Sequence, residues 1–463
     1  MDRSVRVPIA GETIFAPATA TGRAGIAVVR ISGPEAFAAL KSMAPGAADR
    51  PRFAQRLRFV EPVSGEALDD GIAIFFRNPA SFTGEDVVEL QVHGGRSVVE
   101  GFLSVLGKLP GLRLAEPGEF TRRAFENGKI DLTQAEGLAD LIDAETEGQR
   151  KLAYSQMRGA LRERAESWRH RIIEIQGLTE AAIDFSDEGD VAMTAFEQAK
   201  RLAKALADEL SRHLADRNKG EILRDGFKVA VMGLPNAGKS SLINKLAGRD
   251  AVIVSEEAGT TRDVVELHLN LGGIRVVMAD TAGVRATTGA VEREGIRRGI
   301  DWGKNADLVL WLTEGADLHP PSFLTDENRL DTSKVIQVRT KIDLQDDNPA
   351  SRAAGSMTGS RSDIFISSHT GAGIDELVAE LAERAKSALL TDNGLPLISQ
   401  ARHHEALQDA RDQLLAFSSA DDRYLELAAE HARRAAFAVG RLTGRVDAEE
   451  VLGAIFSRFC IGK

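Results

Sequence analysis

Gly233-x4-Gly238-Lys239-Ser240 has the spacing of a loop that wraps polyphosphate. Its glycines let backbone N–H groups turn inward, Lys239 reaches the outer phosphate oxygens, and the Ser240 hydroxyl can ligate Mg2+. The loop falls between FKVAVMG, which reads as a strand, and KSSLINKLAG, which reads as a helix whose N-terminus faces the anion. Asn236, Ala237, Gly238, Lys239, Ser240 and Ser241 are therefore candidate nucleotide contacts. Downstream, GTTRD at 259–263 offers Thr261 as a second Mg2+ hydroxyl, and DTAG at 280–283 ends a strand. Asp280 can hold Mg2+ through water, with Thr281 and Ala282 beside it. The Gly283 N–H can meet a γ-phosphate and couple its loss to loop movement. In TKID, the Asp343 carboxylate can accept both N–H donors of guanine's edge while the aliphatic stem of Lys341 lies over the ring. Adenine offers no matching donors. SSHTGAG at 367–373 follows the next strand, so Ser367, Ser368 and His369 can bring backbone to the base carbonyl. Five elements in this order read as a site for binding and hydrolysing GTP.

Those loops need a scaffold, and 463 residues suffice for two to four domains. The composition, 43% apolar and 27% charged, is that of a folded chain. The net charge of −11 sets up no global attraction to nucleic acid or anionic lipid, so any RNA contact needs a local patch. Arg50, Arg52, Arg56 and Arg58 near Phe53 and Phe59, and Arg162, Arg164, Arg169 and Arg171 on a helix, could meet phosphates, but such clusters more often form a solvated face and assign no RNA-contact residue. LVLWL and IAIFF are far shorter than a membrane span, and the N-terminus lacks a secretory pattern, so the expectation is a cytoplasmic protein without a membrane segment. Cys460 is the sole cysteine; among Phe456, Phe459 and Ile461 it reads either as a nucleophile or as small core packing. His93, before a Gly-Gly pair, reads as a strand-end hydrogen bonder or a ligand.

Along the chain, residues 1 to about 125 mix short strands with helices near 98–109 and 121–127. Asp131 with Gln134 predicts a capping-box helix start, and a long helix runs through WRHRIIEIQGL. Leu202, Leu206, Leu210 and Leu214 mark the buried stripe of another helix, expected to end near Asp225-Gly226. From Phe227 strands and helices alternate, and helices return after 394–399. The chain thus reads as an α+β N-terminal domain (1–127), a discontinuous all-α helical domain (128–222 and 390–463), and an inserted α/β P-loop GTPase domain with a doubly wound sheet (223–389).

The inserted domain resembles small GTPases of the translation-factor class, and GTTRD is similar to the switch of the Era-like branch. That resemblance exposes departures. Thr340 stands where such proteins have Asn, and Ser368 and His369 stand where Ala and a basic residue are usual. A hydroxyl cannot reproduce a carboxamide fork, which implies modest nucleotide affinity. Val284 after DTAG cannot position a water.

GETIFAPATATGRAGIAVVRISG, SFTGEDVVELQVHGG, PGEFTRRAFENGKIDLTQAEGLADLIDA and the terminal FCIGK extend the match: nearly the whole chain resembles the MnmE (TrmE) family of tRNA-modification GTPases. The resemblance implies a homodimer joined through a folate-binding N-terminal domain. It implies a partnership with the flavoprotein MnmG in a heterotetramer or larger complex, FAD being held by that partner. Together they would add an aminomethyl or carboxymethylaminomethyl group to carbon five of the wobble uridine of certain tRNAs. By motif, Arg30, Glu89, Lys129 and Lys463 are implied to hold a methylene- or formyl-tetrahydrofolate. Asn236, Ser255, Glu257 and Thr260 are implied around a K+ ion that would neutralise charge beside the phosphates, with Ser255, Thr260 and Thr261 also contacting GTP. Glu292 in VEREG is implied to orient the attacking water, acting with Lys239 and Gly283. Two other readings stay open: an Era-like ribosome-assembly GTPase, and a scaffold whose nucleotide only switches its conformation.

Overall fold

The computed structural model describes residues 11–185, 189–233, 236–249, 251–253, 265–280, 303, 305–314, 331–344, 363–389, 395–446, 449–457, 459 and 461–462. Expectations at Ser255, Glu257, Thr260, Thr261, Thr281, Ala282, Gly283, Val284, Glu292, Cys460 and Lys463 lie outside these residues. Contacts divide the chain into two compact units: 1–139 with 156–200 and 419–463, and 140–155 with 201–418.

The first unit contains a six-stranded sheet ordered β3-β4-β5-β2-β1-β6, from β1 (Thr13–Pro17), β2 (Ala24–Ser32), β3 (Gln55–Val60), β4 (Ala67–Phe76), β5 (Val87–Gly94) and β6 (Leu112–Leu114). Side chains alternate across a strand, so Val88, Leu90 and Val92 of β5 enter the core while Glu89, Gln91 and His93 lie on the other face. Their core partners include Leu40 and Met43 of α1 (Ala36–Met43) and Phe102 and Leu106 of α2 (Arg96–Leu106). After α3 (Glu119–Glu126), α4 (Leu132–Ile142) starts with the expected reciprocal cap. Gln134 N donates to Asp131 Oδ1 at 2.9 Å, and Asp131 N donates to Gln134 Oε1 at 3.2 Å. After α5 (Glu147–Met157), most of which belongs to the second unit, the first unit continues with α6 (Ala160–Asp184), which packs along α12 (Leu425–Thr443). Large residues Trp168, Ile172 and Ile175 on α6 complement small Ala428, Ala432 and Ala435 on α12, all fully buried. The short α13 (Glu449–Phe456) passes so close to Gly118 that a Cβ there would lie 2.4 Å from the Phe456 carbonyl oxygen, and Gly118 has φ +70°.

A charge network binds α3 to the sheet. Arg113 grips buried Glu119 through two bonds of 2.7 and 2.8 Å and donates to Glu12 at 2.6 Å. Arg123, also buried, donates to Glu119 at 3.0 Å, to Glu85 at 3.0 Å and to the Glu12 carbonyl at 2.8 Å. Burial alone would raise the Glu119 pKa; the Arg113 bonds, the Glu116 N–H and the two guanidinium charges outweigh it and hold the carboxyl below its ordinary value.

The second unit's sheet is ordered β12-β11-β10-β7-β9-β8, from β7 (Phe227–Gly233), β8 (Val265–Leu271), β9 (Ile274–Asp280), β10 (Leu308–Thr313), β11 (Val335–Arg339) and β12 (Ile364–Phe365). All pairings are parallel except β8 with β9. Those two form a hairpin through Gly272 and Gly273, both at positive φ, with no helix between them. One face carries Leu242 and Leu246 of α9 (Lys239–Ala247) and Leu377 and Leu381 of α10 (Ile374–Leu389); Val309, Trp311 and Val335 fill the other. Here too lies α11 (Ala401–Ser418). The predicted leucine-striped helix is divided at Asp216 into α7 (Gly189–Ala215) and α8 (Arg217–Asp225). Asp216 N closes on the His213 carbonyl at 3.3 Å, a tightened turn that restarts the helix. Leu206, Leu210 and Leu214 are buried as expected, Leu202 is only half-buried, and Gly226 ends α8.

Replacing Glu119 with Gln removes the buried carboxylate that Arg113 and Arg123 share, leaving Arg123 with Glu85 alone, and should destabilise the full chain by about 3–5 kcal/mol in chemical denaturation. Because the folded carboxyl titrates below the ordinary 4.5, the unfolded chain binds the extra proton. The contribution is complete above that pH and is lost as pH falls through the folded value, so acid melting curves of native protein should drop more steeply than those of Glu119→Gln.

Candidate functional site

Parallel strands deliver the loops of the second unit to one edge. β7 ends at Gly233, with φ +152°, where a Cβ would sit 2.3 Å from the Leu312 carbonyl oxygen of β10; only glycine permits that approach. The loop then passes through Asn236 at φ +64° and Gly238 at φ +84° into α9. Lys239 is 8% exposed and curls over the loop, its ammonium donating to the Gly233 carbonyl at 2.9 Å. Ser240 and Ser241 are exposed on the first turn of the helix.

The second loop is fastened to the first. Thr340 is 2% exposed, and its hydroxyl donates to the Ala237 carbonyl at 2.9 Å, with the Thr313 carbonyl at 3.3 Å. The departure from Asn thus has a structural meaning: one hydroxyl proton spans both the phosphate loop and β10. Lys341 has φ +56°, unusual for a side chain with a Cβ, and its ammonium pairs with Glu314 just past β10. Glu314 belongs to none of the recognised motifs. Its signal is the β10–β11 register, which opposes Thr313 to Arg339 and sets Glu314 beside the TKID loop.

Asp343 is held below the ordinary carboxylate range chiefly by a hydrogen bond from Ser367, with the nearby His369 charge adding to it. It therefore presents an ionised acceptor. Ser367 is fully buried; its N donates to the Ala372 carbonyl at 2.9 Å, and its hydroxyl accepts from Thr370 N at 3.1 Å. Gly373 closes this loop at φ +72°, where a Cβ would lie 1.9 Å from the Phe365 carbonyl oxygen. Ser368 is half-buried and His369 exposed. Asp280 ends β9.

The first unit brings together a separate set. Arg30 and Glu89 are cross-strand partners on β2 and β5, and Arg30 donates to one Glu89 oxygen at 2.8 and 3.1 Å. The guanidinium carbon lies 5.8 Å from the Phe82 ring centroid and 5.7 Å from that of Phe120. Lys129 donates to the Pro79 carbonyl at 2.8 Å, its stem lies against Gly84, and Asn127 donates to the Thr83 carbonyl at 2.7 Å. The 79–84 loop therefore has Arg30 beside Phe82 and Lys129 along Pro79 and Gly84. Phe82 and Phe120 carried no sequence signal, since neither stands at a spacing that implies a ring beside Arg30. Ile461 bridges to Pro117, and Gly462 closes on Pro17, placing residues 461–462 beside β1.

His93 is a strand-end hydrogen bonder: its Nδ1 lies 2.8 Å from Asp69 Oδ1, and its backbone N donates to Oδ2 at 2.7 Å. The arginine cluster is partly engaged, with Arg52 on the Ala80 carbonyl, Arg58 on Asp70 and Arg50 over Phe53. Among the described residues, no three His, Cys, Asp or Glu side chains gather as a metal site, and no helix is long and apolar enough to cross a membrane.

A lysine-bearing loop at a helix N-terminus, laced to a carboxylate loop at the same sheet edge, defines a P-loop nucleotide-binding protein of the guanine-reading kind. Residues 13–129 match the family described as GTP-binding protein TrmE N-terminus, and residues 132–460 match the MnmE helical domain. The chain belongs to the MnmE (TrmE) family. The tRNA modification GTPase MnmE of Parvibaculum lavamentivorans is 50% identical over 98% of this chain and 100% of its own length. Its counterparts from Rhodopseudomonas palustris and Caulobacter vibrioides are 47% and 46% identical, each over 98% of this chain and 99% and 100% of their own lengths.

Thr340→Val leaves the Ala237 carbonyl without its donor and should cost about 1–3 kcal/mol in denaturant unfolding of the full chain. Thr340→Ser, which keeps the hydroxyl, should lose less.

Proposed function

We propose that this chain hydrolyses GTP and couples the hydrolysis to modification of carbon five of the wobble uridine in certain tRNAs. It works as a cytoplasmic homodimer with the flavoprotein MnmG, which carries FAD, in a heterotetramer or larger complex, and adds an aminomethyl or carboxymethylaminomethyl group. The observation that carries this reading is the presence in one chain of the laced phosphate and base loops and of the Arg30–Glu89 pair beside Phe82. Similarity to relatives over 98% of the chain, rather than over the nucleotide-binding part alone, favours it over an Era-like ribosome-assembly role. The partition into 1–127, 128–222, 223–389 and 390–463 follows from the same reading.

In the nucleotide site, Lys239 meets the outer phosphate oxygens, Asp343 reads the guanine edge and the Lys341 stem covers the ring. Ser240, exposed at the start of α9, is a hard oxygen donor that fits Mg2+, with Thr261 as its companion and Asp280 acting through water. Asn236, exposed on the same loop, offers a carboxamide oxygen that fits K+, with Ser255, Glu257 and Thr260 completing the set. Held by these residues, the cations would supply neutralising charge beside the phosphates. Glu292 orients the attacking water, and the Gly283 N–H follows the γ-phosphate. In the first unit, a carboxylate and a guanidinium beside an aromatic face suit the flat, donor-rich edge of a pterin. A methylene- or formyl-tetrahydrofolate supplies the one-carbon unit when bound. Arg30 and Glu89 orient its ring, Lys129 and Lys463 meet its anionic groups, and Cys460 is kept as a subsidiary candidate.

Mass spectrometry of tRNA nucleosides from a deletion strain should show the modified wobble uridines missing; normal tRNA with accumulated pre-ribosomes would sink the proposal. Glu292→Ala should lower kcat by about 100-fold or more while GTP affinity stays near that of the native protein. Hydrolysis should also run faster in potassium than in sodium, and equal rates would remove the cation from the reading.

A further inference from the structure

We propose that Glu314 is a positioning residue for the guanine base, holding the Lys341 side chain in the extended path that covers the ring. The inference rests on the guanine-nucleotide reading above. A lysine has four rotatable carbons, and a stem free to wander must be ordered each time a base is bound. Here its far end is tied. Glu314 immediately follows β10, Lys341 follows β11 by two residues, and the parallel pairing of Thr313 with Arg339 sets the two loops side by side. The Lys341 ammonium meets the Glu314 carboxylate across that gap.

The backbone gives a second, independent reason for a tether. Lys341 sits at φ +56°, a conformation that side chains with a Cβ adopt rarely, so its direction has to be maintained by neighbouring contacts. On one side Thr340 is pinned to Ala237; on the other Leu344 N donates to the Lys341 carbonyl at 3.1 Å. Glu314 supplies the remaining restraint, on the side chain. Pairing also neutralises the ammonium, which leaves the stem as the part of Lys341 that the nucleotide meets. With a hydroxyl in place of the carboxamide at position 340, the ion pair takes a larger share in keeping the base pocket formed.

The test is release of a fluorescent ribose-labelled GDP from the full-length protein, chased with unlabelled GDP in a stopped-flow instrument. Failure of the native protein to take up the probe would refute the guanine reading itself. Given uptake, Glu314→Gln should release the probe about five-fold faster, equivalent to about 1 kcal/mol, and Glu314→Asp should fall between the two. Raising salt should speed release from the native protein toward the variant's rate. On a Lys341→Met background, which keeps an unbranched stem and removes the charge, Glu314→Gln should have no further effect. Unchanged or slower release from Glu314→Gln, or the same acceleration on the Lys341→Met background, would overturn the assignment.

Discussion

The second unit's site depends on one row of parallel pairing. Gly233 stands opposite Leu312, Thr313 opposite Arg339, and Arg339 opposite Phe365. Because parallel strands run in one direction, four loops that are far apart in sequence start from the same edge. The row also dictates its glycines: the carbonyls of Leu312 and Phe365 crowd the positions where Gly233 and Gly373 would otherwise carry a Cβ. Loss of that row would scatter the phosphate and base loops even with every motif residue intact.

Within that edge, the hydroxyl of Thr340 joins the phosphate loop to the base loop with its one proton. It is buried and satisfied, so the exchange does not break the link between phosphate and base loops. The side-chain link between those loops is that hydrogen bond, and the Ser367 bond to Asp343 and the Glu314 pair with Lys341 add further restraints on the base loop.

The first unit solves a different problem, that of holding charged groups in place on the sheet face beside α3. Buried ion pairs gain little over apolar packing, but breaking one partner is costly. The Arg113–Glu119–Arg123 network fixes α3 and, through Glu85, reaches Ser32 at the end of β2, whose hydroxyl donates to Glu85 at 2.7 Å. Arg30, two residues earlier on that strand, is thereby set against Glu89 and the Phe82 and Phe120 rings.

Whatever depended on neighbours in the chain was legible from sequence alone. The phosphate-loop spacing, the Asp131–Gln134 cap, the buried leucine stripe and the family-like motifs are all local patterns, and local hydrogen bonds or periodicity realise them. Tertiary structure decided what depended on distance in the chain: Thr340 meets Ala237 across 103 residues, Arg30 meets Glu89 across 59, and Lys341 meets Glu314 across 27. Such partners carry no periodic signal, because strand register rather than spacing brings them together. The division of the predicted helix at Asp216 was also left to the folded backbone, since the leucine stripe ends at Leu214, just before the turn that Asp216 N closes on the His213 carbonyl.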